Sequence, residues 1–163
     1  MPEIVPFLIL FGVGLLAGTI NVMAGGGSTL TLPTLIFLGL DAATANGTNR
    51  VAIVLQNVFA TLSFRQEKVS RFRQSLTFAL LKMNLVCVNM HKVVVILLYT
   101  GPTLLVFALT DNVDWTLGLN LAAGNALGAW WGAKLAVRRG EKLIRYVLIV
   151  AVLIMAAKIL GVF

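Results

Sequence analysis

Six of the 163 residues are acidic, one is cysteine and one is histidine. The lone Cys87 excludes a disulfide framework within the chain. Cys87 and His91 together offer two metal ligands, short of the four that a structural zinc site takes. No metal or cofactor is therefore expected. Acid–base chemistry by paired carboxylates is also unexpected, because Asp41, Asp111 and Asp114 all fall in turn-like stretches. An intramembrane serine protease would need Ser28 as nucleophile and His91 as its base, and nothing else in the pattern supports an activated nucleophile. The expectation is a protein that is not an enzyme.

Charge of either sign is scarce. Charged residues make up 12% and hydrophobic residues 59%, against about 25% and roughly 45–50% in soluble domains. A soluble chain this short has too much surface for its volume to hide that much apolar area. A lipid bilayer removes the difficulty, so the fold expected is an all-α polytopic integral membrane protein.

The net charge of +7 is concentrated. Residues 65–73 carry Arg65, Lys68, Arg71 and Arg73 against Glu67. Residues 134–145 carry Lys134, Arg138, Arg139, Lys142 and Arg145 against Glu141. These two stretches hold the whole excess. Basic loops beside apolar segments are the positive-inside signal, so nucleic-acid binding is not expected. The first residues contain Glu3 and no Lys or Arg, which does not suit a cleaved signal peptide. Residues 4–23 are read as a retained helix.

Ala24-Gly25-Gly26-Gly27-Ser28 interrupts the apolar sequence after residue 23, and a helix does not run comfortably through three glycines. Residues 29–40 follow as a short apolar piece, too short to span alone. Residues 41–48 read as a polar turn. Residues 49–64 form a span and 75–91 an irregular junction. Residues 93–110 form a span with a kink at Gly101-Pro102. An acidic turn at 111–114 leads to spans at 115–136 and 143–162. Placing both basic loops in the cytoplasm leaves six crossings, with the N-terminus, both polar turns and the C-terminus outside. Residues 75–91 must then begin and end on one side.

A weak internal echo lays residues 49–55 on 91–97, and the two copies would run in opposite directions. Inverted repeats are a common transporter construction, with the substrate near the midplane. The whole chain reads as one membrane domain, with 1–74 like a first repeat and 92–163 like the end of a second.

The glycine break has two readings. It is a tight turn between packed helices, or a cavity wall where the N-terminus of the next helix faces an anion. Arg50 and Lys92 each open an apolar run, and they either snorkel to the headgroups or line a pathway. Gly14 and Gly18, and the ladder Gly124, Gly128 and Gly132, read as close helix-packing faces. Trp115, Trp130, Trp131 and Tyr146 read as interface anchors.

Gly18, Ala24-Gly25-Gly26-Gly27-Ser28, Leu32-Pro33, Leu38-Gly39-Leu40 and Ala45-Asn46-Gly47-Thr48-Asn49-Arg50 together resemble the first half of the TauE/SafE sulfite-exporter family. Asn89 and Lys92 resemble its Asn-x-x-Lys element. Tyr99, Pro102, Val113-Asp114-Trp115, Gly124-Asn125-Ala126-Leu127-Gly128 and Gly140-Glu141 resemble its C-terminal helices. The resemblance implies a bacterial plasma-membrane permease for small sulfur-containing or organic anions, built from two inverted repeats. It implies a substrate site formed by Gly25, Gly26, Gly27, Ser28, Asn49, Arg50, Asn89 and Lys92. The family's second glycine-rich break is missing here, which implies an internal deletion near residues 75–89. The expectation is a permease for sulfite-type anions, inactive as a monomer if half the site is lost. Homodimer rescue is the less favoured outcome. The alternative is a non-transporting remnant or accessory subunit.

Overall fold

The computed structural model describes residues 4–67 and 85–159. Lys68, Arg71 and Arg73 of the first basic loop lie outside the described residues, as do 75–84 of the junction and the last residues of the final span. All regular structure among the described residues is helical. The helices are α1 (Ile4–Met23), α2 (Ser28–Phe37), α3 (Ala42–Gln66), α4 (Leu85–Leu109) and α5 (Trp115–Ile159). By length and apolarity alone, α1 and α4 qualify as membrane spans, with mean hydropathies of 2.1 and 2.0. At 25 residues each, α3 and α4 rise about 37 Å, more than the roughly 30 Å of a bilayer's hydrocarbon core.

Two boundaries differ from the sequence reading. Residues 42–48 are not a turn but the first turns of α3. Asp41 caps that helix, its carboxylate accepting from the Ala43 and Thr44 N–H groups at 3.0 and 3.2 Å. A polar run with a good N-cap at its head reads as a loop by composition and folds as a helix by capping. The chain reverses earlier, at Gly39, where φ is +99°. Likewise residues 85–91, expected to be irregular, are the start of α4. Pro102 lies inside that helix without ending it. The two final spans form one run broken at Gly140, whose φ of 68° and ψ of −162° are not helical.

The packing follows the glycine faces. A Cβ at Gly14 would meet the Leu121 carbonyl at 2.8 Å, and one at Gly18 would overlap the Asn125 carbonyl. In return, Cβ atoms at Gly124 and Gly128 would overlap the Phe11 and Leu15 carbonyls, and Gly132 faces Thr19. The two small-residue faces expected to pack therefore pack against each other. The pairs 11/124, 15/128 and 19/132 climb together, so α1 and the first limb of α5 run parallel. The Thr19 hydroxyl donates to the Gly128 carbonyl at 3.0 Å and reinforces the crossing.

α3 also runs parallel to this limb. Thr48 Oγ1 accepts from the Asp114 N–H at 2.9 Å, and Ser63 Oγ donates to the Trp130 carbonyl at 3.0 Å. Glu67 and Arg138 meet at 3.9 Å, placing the start of one basic loop beside the other. α4 runs the opposite way: its Val86 packs with Phe64 at the end of α3, and its Phe107 lies beside Gly47 near the start. Trp115 and Trp131 are exposed, whereas Trp130 packs edge-on against Phe59 at 6.3 Å.

Candidate functional site

The glycine break folds the chain back on α1. Gly25 and Gly26 have φ of 88° and 82°, a region that a side chain rarely adopts. Gly27 is buried beneath α1: a Cβ there would meet the Ala17 carbonyl at 2.7 Å and Asn21 Cβ at 2.8 Å. α2 starts at Ser28 and returns antiparallel to α1, bringing Leu35 into the core cluster that holds Leu10. Its 10 residues rise about 15 Å, half the thickness of the hydrocarbon core. Ser28 is thereby left partway along the bundle.

Asn49 joins α2 to α3. Its side chain is 2% exposed, and its Oδ1 accepts from Thr31 Oγ1 at 2.8 Å. Its Nδ2 donates to Ser28 Oγ at 3.2 Å. Beside this joint lies a cavity of about 210 Å³ lined by Asn21, Ser28, Leu32, Asn46, Asn49, Arg50, Ile53, Ile96, Tyr99 and Thr100. Four helices contribute to it, and among the described residues no acidic one lines it. Arg50 Nε is buried there without a hydrogen-bond partner, as is Thr100 Oγ1.

Of the eight residues the sequence pointed to, Ser28, Asn49 and Arg50 come together at this cavity. Gly25, Gly26, Gly27, Asn89 and Lys92 are not among its lining residues. Asn89 and Lys92 instead hold the end of α1. Lys92 Nζ donates to the Asn21 and Val22 carbonyls at 3.0 and 3.2 Å, and Asn89 Nδ2 donates to the Met23 carbonyl at 3.0 Å. The last carbonyls of a helix have no partner within it and carry the negative end of its dipole. A cation and an amide from α4 answer that need.

The N–H groups around the break are also engaged locally. Gly27 donates to Asn21 Oδ1 at 3.4 Å, Thr29 to the Gly26 carbonyl at 3.0 Å and Leu30 to the Gly27 carbonyl at 3.1 Å. Side chains, not these N–H groups, therefore supply the donors that face the cavity. Sequence reasoning did not single out Asn21, Tyr99 and Thr100 as site residues. Each is a polar residue within an apolar run, and the opposed directions of α3 and α4 bring Tyr99 and Thr100 level with Arg50.

The profile of the family described as sulfite exporter TauE/SafE matches residues 10–83 and 75–159. Among relatives, a probable membrane transporter protein, YfcA, from Escherichia coli K12 is 24% identical over 238 positions, covering 93% of this chain and 88% of the relative. A probable membrane transporter protein from Haemophilus influenzae is 22% identical over 236 positions, covering 92% of each chain. Both alignments are longer than the 163 residues present, so the relatives carry residues with no counterpart here. No solved structure matches. A glycine-broken helix, a polar cavity among apolar helices and a profile match to both halves lead to one conclusion: the chain belongs to the TauE/SafE sulfite-exporter family of membrane permeases.

Proposed function

We propose that the chain binds a small oxyanion of the sulfite or sulfonate type in the cavity beside Arg50, as the substrate site of a shortened permease. One observation carries this reading: Arg50 Nε is buried without a partner in a cavity that no acid among the described residues lines. A guanidinium nitrogen buried without a partner is costly, and an anion would relieve that cost through a charge-assisted hydrogen bond. Ser28, Asn21, Asn46, Asn49 and Thr100 surround Arg50 with neutral polar groups that can orient an oxyanion. The volume has room for a few groups of water size, each about 30 Å³. Gly25, Gly26 and Gly27 then act as the turn that brings Ser28 into place. Asn89 and Lys92 act as the clamp on α1.

In this reading the chain lies in a bacterial inner membrane with both basic regions inside. The parallel courses of α1, α3 and the first limb of α5 support that arrangement. A second reading, a remnant that binds an anion without moving it, draws support from the length of the relatives' alignments. Purified chain in liposomes tests both. Sulfite flux that Arg50→Gln abolishes supports the permease. Sulfite binding that depends on Arg50 without flux supports the remnant. Binding that is indifferent to Arg50→Gln rejects the site.

A further inference from the structure

The second basic stretch, 134–145, has no part in the cavity described above. The helix break at Gly140 ends one limb of α5 and starts another. An open groove of about 680 Å³ lies there, lined by Arg139, Lys142, Arg145, Tyr146 and Ile149. Lys142, Arg145, Tyr146 and Ile149 recur at the three- and four-residue spacing that puts side chains on one helix face. Along that face the chemistry changes in order. Two cations come first, then an aromatic ring with a hydroxyl, then an aliphatic side chain one turn further on. Arg139 adds a third cation from before the break. Tyr146 is 67% and Ile149 50% exposed, so the apolar end of the groove lies open. Among the described side chains, no acidic one lines it.

We propose that this groove is a binding site for an anionic phospholipid. The phosphodiester lies between Arg139, Lys142 and Arg145, the interfacial part of the lipid lies against Tyr146, and an acyl chain runs along Ile149. Basic pockets on the cytoplasmic side of membrane helices take acidic headgroups in this way, and an aromatic ring suits the headgroup level. The gradient from charge to aliphatic side chain fits a lipid. A free phosphate or a nucleic acid would make no use of Tyr146 and Ile149.

The full chain in detergent tests this by native mass spectrometry and thermal unfolding with added phosphatidylglycerol or phosphatidylcholine. Phosphatidylglycerol is expected to stay bound and raise the melting temperature, and phosphatidylcholine to do neither. The double variant Arg139→Gln/Lys142→Gln is expected to weaken retention about fivefold per cation removed. The double variant Lys134→Gln/Arg138→Gln makes the same charge change outside the groove and is expected to keep most of it. Equal loss in both variants would reduce the effect to overall charge and overturn the proposal. Equal retention of the two lipids would overturn it too. So would an equal thermal shift with inorganic phosphate or soluble glycerophosphate, which lack an acyl chain.

Discussion

Arg50 and Asp41 sit nine residues apart and do opposite work. Arg50 is a cation whose Nε has no partner in a polar cavity. Arg50→Gln keeps a donor and removes the charge, and losing a charge-assisted hydrogen bond costs about 1.5–3 kcal/mol. Sulfite affinity, read by calorimetry in detergent, is expected to fall roughly tenfold to a hundredfold. Asp41 is fully exposed and is held below the usual carboxylate pKa. The Thr44 hydroxyl acts first, followed by the Thr44 and Ala43 N–H groups. A depressed carboxylate stabilises the fold at any pH above its unfolded value, about 3.9. That contribution is lost as pH falls through the lowered folded value. Asp41→Asn keeps a capping oxygen and removes the titration. Melting temperature measured below pH 5 is expected to fall less steeply with acid in the variant than in the parent chain.

The elements are held by two devices, interlocked glycine faces and a tethered cation. At Gly18 any side chain meets the Asn125 backbone, whereas a Cβ at Gly12 meets nothing within 4 Å. Gly18→Ala is expected to destabilise by roughly 1–3 kcal/mol through overpacking. Gly12→Ala is expected to be neutral or to gain up to about 1 kcal/mol from helix propensity. Thermal unfolding of the two variants side by side checks this, and equal behaviour would dismiss the packed crossing. Lys92 ties α4 to the end of α1 through two carbonyls. Lys92→Met keeps the aliphatic stem and removes both bonds, leaving acceptors short of a donor at a cost of about 1–3 kcal/mol. If Lys92 positions the break and does not bind the anion, this variant loses stability more than it loses sulfite affinity per folded molecule.

At the scale of the molecule, α3's end, α4's start and Arg138 share one end of the bundle, and Gly47, Phe107 and Asp114 share the other. The basic end is expected to face the cytoplasm by the positive-inside rule. In a Cys87→Ser background, Arg138→Cys is expected to react with a membrane-impermeant thiol reagent only after the cells are opened. Thr110→Cys is expected to react in intact cells. Reaction of the Arg138→Cys protein in intact cells would overturn the orientation.

Several features were legible along the chain because they depend on composition or short spacing. The apolar excess determined the bilayer as solvent. Three consecutive glycines determined the break after Met23, since Gly25 and Gly26 take positive φ that side chains rarely adopt and a Cβ at Gly27 would run into α1. The four-residue glycine spacing marked both packing faces. Partners across the fold were not legible in the same way. Nothing local says that Gly18 meets Asn125, or that Lys92, a cation in an apolar run like Arg50, answers the carbonyls of α1 while Arg50 lines a cavity. Those outcomes depend on which helices run parallel and how far each is shifted along its neighbour. Residues 42–48 misled for a related reason: their polarity suggests a loop, but Asp41 caps a helix whose polar first turns pack against the 111–114 turn. Short-range chemistry selected the elements and their breaks, and long-range helix packing decided which polar groups were satisfied and which were left facing the cavity.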